Sequence, residues 1–375
     1  MRVSFSKPLK SPLVLSALTA LIFVATPDSE AQVRAQQKTG ASTPPRASSA
    51  QPTKKTDEQM QAEVLQRHLN LIESADTVLD YLRYDQHNCV DCHASTAGET
   101  TAQEGSPLAR CQKTWENFYS KPEIDVRIVF GYYDASYERT VDDVISRQSL
   151  IDRLVTPCNS NVAVCGFKRS EEDADILEKV VKGPSGASHK VKLRIVASAY
   201  SSSDRINRAF VKEQEEKSAQ AKRAFMSGIE EADALFYIGH ARDGGGPDFS
   251  PARLKDGAID YPYYRRNKPG LEELTSKLSL AKKTPKILGF LACNSERWND
   301  RLKRMAPKSG LVLSQTDDVA HEVSLVQTLG ALDSILWKRC ESSFDEALNP
   351  IPGGAYAGTQ VKRVTIRNFF NQPAK

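Results

Sequence analysis

Apolar residues recur along this chain with two different periods. From 57 to 84, Val64, Leu65, Leu69, Ile72, Leu79 and Leu82 return at helical spacing, which predicts one amphipathic helix with His68 beside its packed face. Beyond Glu123 the pattern changes to short continuous apolar runs separated by helical stretches. The runs are "VRIVFGYY" from 126, "VKLRIVASAY" from 191, "ALFYIGH" from 234, "KILGFLAC" from 286 and "GLVLSQT" from 310. Between them lie a predicted helix from 141 to 154 and a long charged one from 205 to 231. Strands that are apolar throughout, with helices between them, imply an α/β fold whose mostly parallel sheet is covered by helices on both faces. No repeat of 20 to 50 residues runs through this region, so a solenoid is excluded.

The segments before the first helix differ in texture. Arg2, Lys7 and Lys10 precede an apolar run at 13–25, and Ser29 and Ala31 put small residues where a signal peptidase reads, so residues 1–31 are expected to be a secretory signal. The run is shorter than the ~20 residues a helix needs to span a bilayer, so no stable membrane insertion is expected after cleavage. No cysteine stands near the cut to take a lipid. The next stretch, "QVRAQQKTGASTPPRASSAQPTKK", has almost nothing to bury and is expected to be a disordered linker. The expected organisation is then signal 1–31, linker 32–56, a helical Cys-containing region 57–119, an α/β domain 120–345, and a C-terminal extension 346–375 with a candidate edge strand. The expected location is the periplasm or the outside of the cell.

Composition narrows the partners. The chain has 375 residues, of which 26% are charged and 40% hydrophobic, enough for a sizeable core. Its formal charge of +4 arises from 51 basic and 47 acidic residues with no long basic run, so no nucleic-acid partner is expected. Oligomeric state is not legible.

Candidate chemistry gathers where apolar runs end. In "LFYIGHARDGGG", at 235–246, five mostly apolar residues lead into Gly239, His240 and a glycine cluster, and "KILGFLAC" leads into Cys293. Parallel sheets present reactive groups just past the carboxyl ends of their strands. A thiol beside an imidazole is the basic arrangement of nucleophilic catalysis, because the imidazole generates or stabilises the attacking thiolate. Either residue alone reads more simply as a buried thiol or a structural histidine; the pairing, 53 residues apart with room for one crossover, changes the balance. Adjacency of the two strands is the assumption on which the pair rests. Cysteine parity agrees: of Cys89, Cys92, Cys111, Cys158, Cys165, Cys293 and Cys340, an exported chain leaves one thiol over, and Cys293 is the best candidate. Cys158 and Cys165 bracket "NSNVAV" and are placed to close a small loop, while the other four allow several pairings.

The stretches "FYIGHA" and "GFLACNS" resemble the caspase-like cysteine peptidases of clan CD, a family that includes legumains, gingipains, separases and CHAT domains. The resemblance covers roughly 120 to 340 and implies a caspase-like sheet, a peptide or protein substrate, His240 as acid and base, and Cys293 as nucleophile. It also implies an exported cysteine endopeptidase working through a thioester, with no required cofactor and no strictly required third residue. Gly239 and Ala241 are expected to frame the oxyanion, and Arg242, Asp243 and Asp248 form a candidate substrate loop whose simpler reading is a solvated loop. Ala241 stands where the family has Gly, and the caspase pentapeptide is absent, so aspartate specificity does not carry over. His321 is read as a helix-face residue, His68 receives no catalytic role, and no metal is expected.

A second motif competes. "CVDCH", Cys89 to His93, matches the attachment signature of a covalent c-type haem at Cys89 and Cys92, with His93 as axial ligand and His87 or Met60 as candidates for the second axial position. Disulfides or a small metal site would use the same cysteines. Two rival functions follow: an inactive caspase-like binding module, and a haem-binding redox or sensor protein. Thiol alkylation separates the first from an enzyme, and a Soret band that survives acid-acetone extraction identifies the second.

Overall fold

The computed structural model describes residues 55–86, 105–133, 140–158, 163–315, 321–350 and 364–370. The expected signal, most of the linker and the "CVDCH" motif lie outside the described residues. Among the described residues, no helix is long and apolar enough to cross a membrane.

Two helices, α1 (Asp57–Gln86) and α2 (Pro107–Phe118), precede the sheet. The strands are β1 (Glu123–Phe130), β2 (Lys168–Arg169), β3 (Ile176–Lys182), β4 (Ser188–Ala197), β5 (Ala234–Ile238), the small hairpin β6 (Leu254–Lys255) and β7 (Ala258–Ile259), then β8 (Ile287–Leu291), β9 (Gly310–Ser314) and β10 (Val364–Arg367). Between them run α3 (Asp142–Val155), α4 (Asp204–Ala209), α5 (Val211–Glu231), α6 (Tyr261–Asn267), α7 (Pro269–Leu280), α8 (Asn299–Met305), α9 (His321–Trp337) and α10 (Glu341–Ala347). Eight strands form one sheet in the order β10-β9-β8-β5-β1-β4-β3-β2. Its middle, β9 to β4, is parallel, while β10, β3 and β2 add antiparallel edges.

The alternation within each strand explains why the runs are apolar throughout. In β5, Ala234, Phe236 and Ile238 join a core shared with α2, α3, α9 and α10, while Leu235 and Tyr237 join a second core built with α5, α7 and α8. A strand buried on both faces has no solvent face on which to place polar residues. Gly289 in β8 leaves space for the Phe236 ring, which a Cβ there would meet at 2.2 Å.

Three elements depart from the sequence reading. The expected 205–231 helix is broken at Phe210 into α4 and α5. The α1 stripe that docks is Val64, His68, Ile72, Ala75 and Leu79, with Leu65 and Leu69 turned outward at 37% and 42% exposure. His68 is therefore inside the packed face, not beside it. Last, α9 is not amphipathic: its described side chains from Glu322 to Leu336 are all buried, because the sheet lies under it and α1, α3 and α10 pack over it.

Among the described residues two disulfides staple the fold, consistent with an oxidising compartment. Cys158–Cys165 closes the short loop before β2, and Cys111–Cys340 ties α2 to the start of α10 across 229 residues of sequence. Beside the second, Trp115 donates its Nε1 proton to the Arg339 carbonyl at 3.0 Å and is surrounded by Phe118, Phe344, Phe369 and Phe370.

Candidate functional site

Strands β5 and β8 are neighbours, parallel, with Ile238 opposite Leu291. His240 and Cys293 each stand two residues beyond that pair, and neighbouring strands run ~4.8 Å apart, so both backbones leave the sheet side by side. The contact continues past the ladder, since the Gly239 N–H donates to the Leu291 carbonyl at 3.4 Å. The residues needed for a thiol–imidazole pair are thus delivered to one edge by sheet register alone.

The position has a topological cause. From β1 the chain crosses through α3, which packs in one core, to β4 on one side. From β5 it crosses through α7, which packs in the opposite core, to β8 on the other side. The two strands stay paired to their ends, the Gly131 N–H donating to the Ile238 carbonyl at 2.7 Å, but their outgoing connections turn to opposite sides, and such a switch point opens a crevice in open α/β sheets. Gly131, Tyr132 and Tyr133 follow β1 at this point, and Gly239 and His240 follow β5.

Close packing holds the histidine. Tyr133 stacks on the His240 ring with centroids 4.3 Å apart and planes 12° from parallel. Beneath them Tyr237 Oη donates toward the carbonyls of His240 (2.9 Å) and Asp248 (3.1 Å) and accepts the Asp248 N–H at 2.9 Å. Burial pushes the Tyr237 hydroxyl far above the ordinary phenol range, with Asp248 and Cys293 adding to the rise, so it stays a neutral donor. Glycine is required on both sides of this hydroxyl: a Cβ on Gly131 would meet Tyr237 Oη at 2.4 Å and the Asp248 carbonyl at 2.5 Å, and one on Gly239 would meet Tyr237 Oη at 2.8 Å.

Cys293 carries a reduced thiol and is half-buried at the rim of the second core. The turn behind it is pinned: Asn294 adopts a left-handed conformation (φ 49°), Ser295 N–H returns to the Ala292 carbonyl at 3.2 Å, and Ser295 Oγ donates to the Phe290 carbonyl at 2.6 Å while accepting the Ser314 N–H at 2.9 Å. The thiol therefore leaves a backbone fixed to two strands.

The loop after His240 is built, not loose. Arg242, its side chain 1% exposed, pairs with Asp248 at 3.0 Å and faces the Tyr264 ring, so its guanidinium serves the loop's interior. Asp243 pairs with Arg265 at 3.2 Å at the surface. Ala241 is buried and its carbonyl accepts the Gly246 N–H at 3.2 Å. Gly239, expected to frame an oxyanion, has its N–H on Leu291 and contributes chiefly by lacking a side chain. Cys89, Cys92, His93 and His87 lie outside the described residues, and Met60 lies on α1. His321 begins α9.

The residues that sequence reasoning missed are Gly131, Tyr133 and Tyr237. The glycine and the aromatic pair just past β1 in "FGYY" were the available signal. A groove of about 520 Å³ adjoins this region, lined by Tyr132, by one face of α4 and α5 that includes Asn207, Gln214 and Lys222, and by Ser250 and Pro251 of the loop after His240. Compared with protein-family models, with curated proteins and with solved structures, the chain matches none.

Proposed function

We propose that this chain is an exported cysteine endopeptidase of caspase-like architecture, with Cys293 as nucleophile and His240 as acid and base. The observation that carries the reading is the register of β5 against β8, which puts the two residues at equivalent positions on one sheet edge, beside a switch-point crevice. The stacked Tyr133 and the anchored His240 carbonyl support it, because a general base must be held in a fixed orientation toward its nucleophile. A cysteine that remains a thiol in a chain whose other described cysteines are paired points the same way.

In this mechanism the Cys293 thiolate attacks a peptide carbonyl and forms a tetrahedral oxyanion, stabilised by the Cys293 N–H and the turn after β5. His240 protonates the departing amine, leaving a thioester on Cys293. Water, deprotonated by His240, attacks the thioester and releases the carboxylate, restoring the thiol.

The test is peptide-library cleavage by the mature protein under mild reduction, with Cys293→Ala and His240→Ala alongside. Cleavage by the wild type is expected to fall at least ~10²–10⁴-fold in the His240 variant and to vanish in the Cys293 variant. Native Cys293 is also expected to alkylate fast near neutral pH, and more slowly once His240 is gone. A folded wild type that neither cleaves nor alkylates fast at Cys293 would overturn the enzyme reading in favour of a binding module.

A further inference from the structure

Away from the Cys293 edge, three buried polar side chains converge where α1 crosses the starts of α3 and α9. His68, Asp142 and Glu322 each offer one ligand atom, and these atoms all lie within 4.8 Å of one another. His68 is wholly buried, and Asp142 and Glu322 are each 6% exposed. Acidic residues in the first turn of a helix have a ready explanation, since helix N-termini favour negative charge, and Asp142 and Glu322 occupy the first turns of α3 and α9. That explanation does not reach the histidine.

The hydrogen bonds around His68 define what its ring presents. Ser149 Oγ donates to the Ile145 carbonyl at 2.8 Å and lies 3.4 Å from His68 Nδ1. The ring's other nitrogen, Nε2, is fully enclosed and has no hydrogen-bond partner. A fully enclosed imidazole nitrogen with no hydrogen-bond partner, beside two buried carboxylates, points to a ligand between them. Arg67 lies 3.5 Å from Glu322 Oε1, with its side chain 45% exposed.

We propose that His68, Asp142 and Glu322 form a binding site for a divalent first-row transition-metal cation of the zinc class, which clamps α1 onto the starts of α3 and α9. Donors around a tetrahedral cation at ~2.0–2.2 Å lie ~3.3–3.6 Å apart, so the widest pair of the trio needs to close by up to about 1.5 Å. One imidazole with two carboxylates and no thiolate suits zinc, manganese or iron(II) better than a soft monovalent ion or an all-oxygen calcium site. Two carboxylates neutralise the double charge, and Ser149 holds the ring by its other nitrogen, the outer-shell support that metal-bound histidines have elsewhere.

The experiment uses the full mature chain carrying Cys89→Ser, Cys92→Ser and Cys293→Ala, so that none of these sulfurs can compete for zinc. After chelator treatment, zinc chloride is titrated by calorimetry, and thermal unfolding is followed with and without saturating zinc. One equivalent bound at micromolar or tighter Kd is expected, with a rise in Tm. Glu322→Gln and His68→Gln in the same background are each expected to weaken binding at least tenfold and to remove the Tm rise. Glu322→Gln keeps the question decidable should the His68 variant fail to fold. Absence of stoichiometric binding, or equal binding by the parent chain and a folded variant, would overturn the proposal.

Discussion

Around His240, the decisive groups are small or hydroxylic. Tyr237 Oη fixes the His240 carbonyl and both ends of the Asp248 peptide contact, and Gly131 and Gly239 admit it. Removing one such buried bond is worth ~1–1.5 kcal/mol, about a tenfold change in an equilibrium or rate. Tyr237→Phe is therefore expected to retain the fold and lose about tenfold in peptide cleavage, read as kcat/KM with circular dichroism as the folding control. An unchanged kcat/KM would show that this anchor does not position the histidine. His240 and Cys293 were legible in the sequence because each follows an apolar run. Tyr133 was not, because its partner ring lies on another strand and pairing between strands leaves no trace in local spacing.

At the scale of elements, α9 shows where a periodicity argument stops. It is buried on every side, and at its end Lys338 takes a left-handed conformation (φ 55°) and donates from Nζ to the Lys182 carbonyl at 2.7 Å. Burial lowers the Lys338 pKa from 10.5 to about 8. Between those values the unfolded chain holds this proton more than the folded one does, so the lysine's contribution to stability rises as pH goes up through that window and is lost as pH falls through about 8. Relative to Lys338→Met, the wild type is expected to gain up to about 3 kcal/mol between the lower and upper ends of the window, measured by denaturant unfolding. A pH-independent difference would refute the shift. The parallel strands and α3 were readable from their runs, whereas β2, β3 and the break between α4 and α5 were not. In β3, "ILEKVVK" mixes exposed and buried positions, and only its antiparallel pairing with β4 makes it a strand.

For the whole molecule, the Cys111–Cys340 bridge joins the helical region before the sheet to the helix that follows α9. Linking residues so far apart in sequence restricts the unfolded chain strongly, and removing such a native bridge costs ~2–5 kcal/mol. The paired change Cys111→Ala and Cys340→Ala is expected to lower the denaturant midpoint accordingly, while the Cys158–Cys165 pair, with only a short loop to close, is expected to matter less. Equal effects from both would show that loop length is not what stabilises here. Around the long-range bridge, Trp115, Arg339 and the buried Arg339–Asp333 ion pair at 2.6 Å make α2 part of the same core as the sheet, not an appended segment.

The sequence by itself determined the α/β class, the order of the central strands along the chain, and the positions of His240 and Cys293 at strand ends, because a strand buried on both faces must be apolar throughout. Only the tertiary structure decided that β5 lies against β8, that Cys111 meets Cys340, and that His68, Asp142 and Glu322 share one buried space. Each of these joins residues far apart in the chain, and such neighbours are selected by sheet order and helix packing, which no local period encodes.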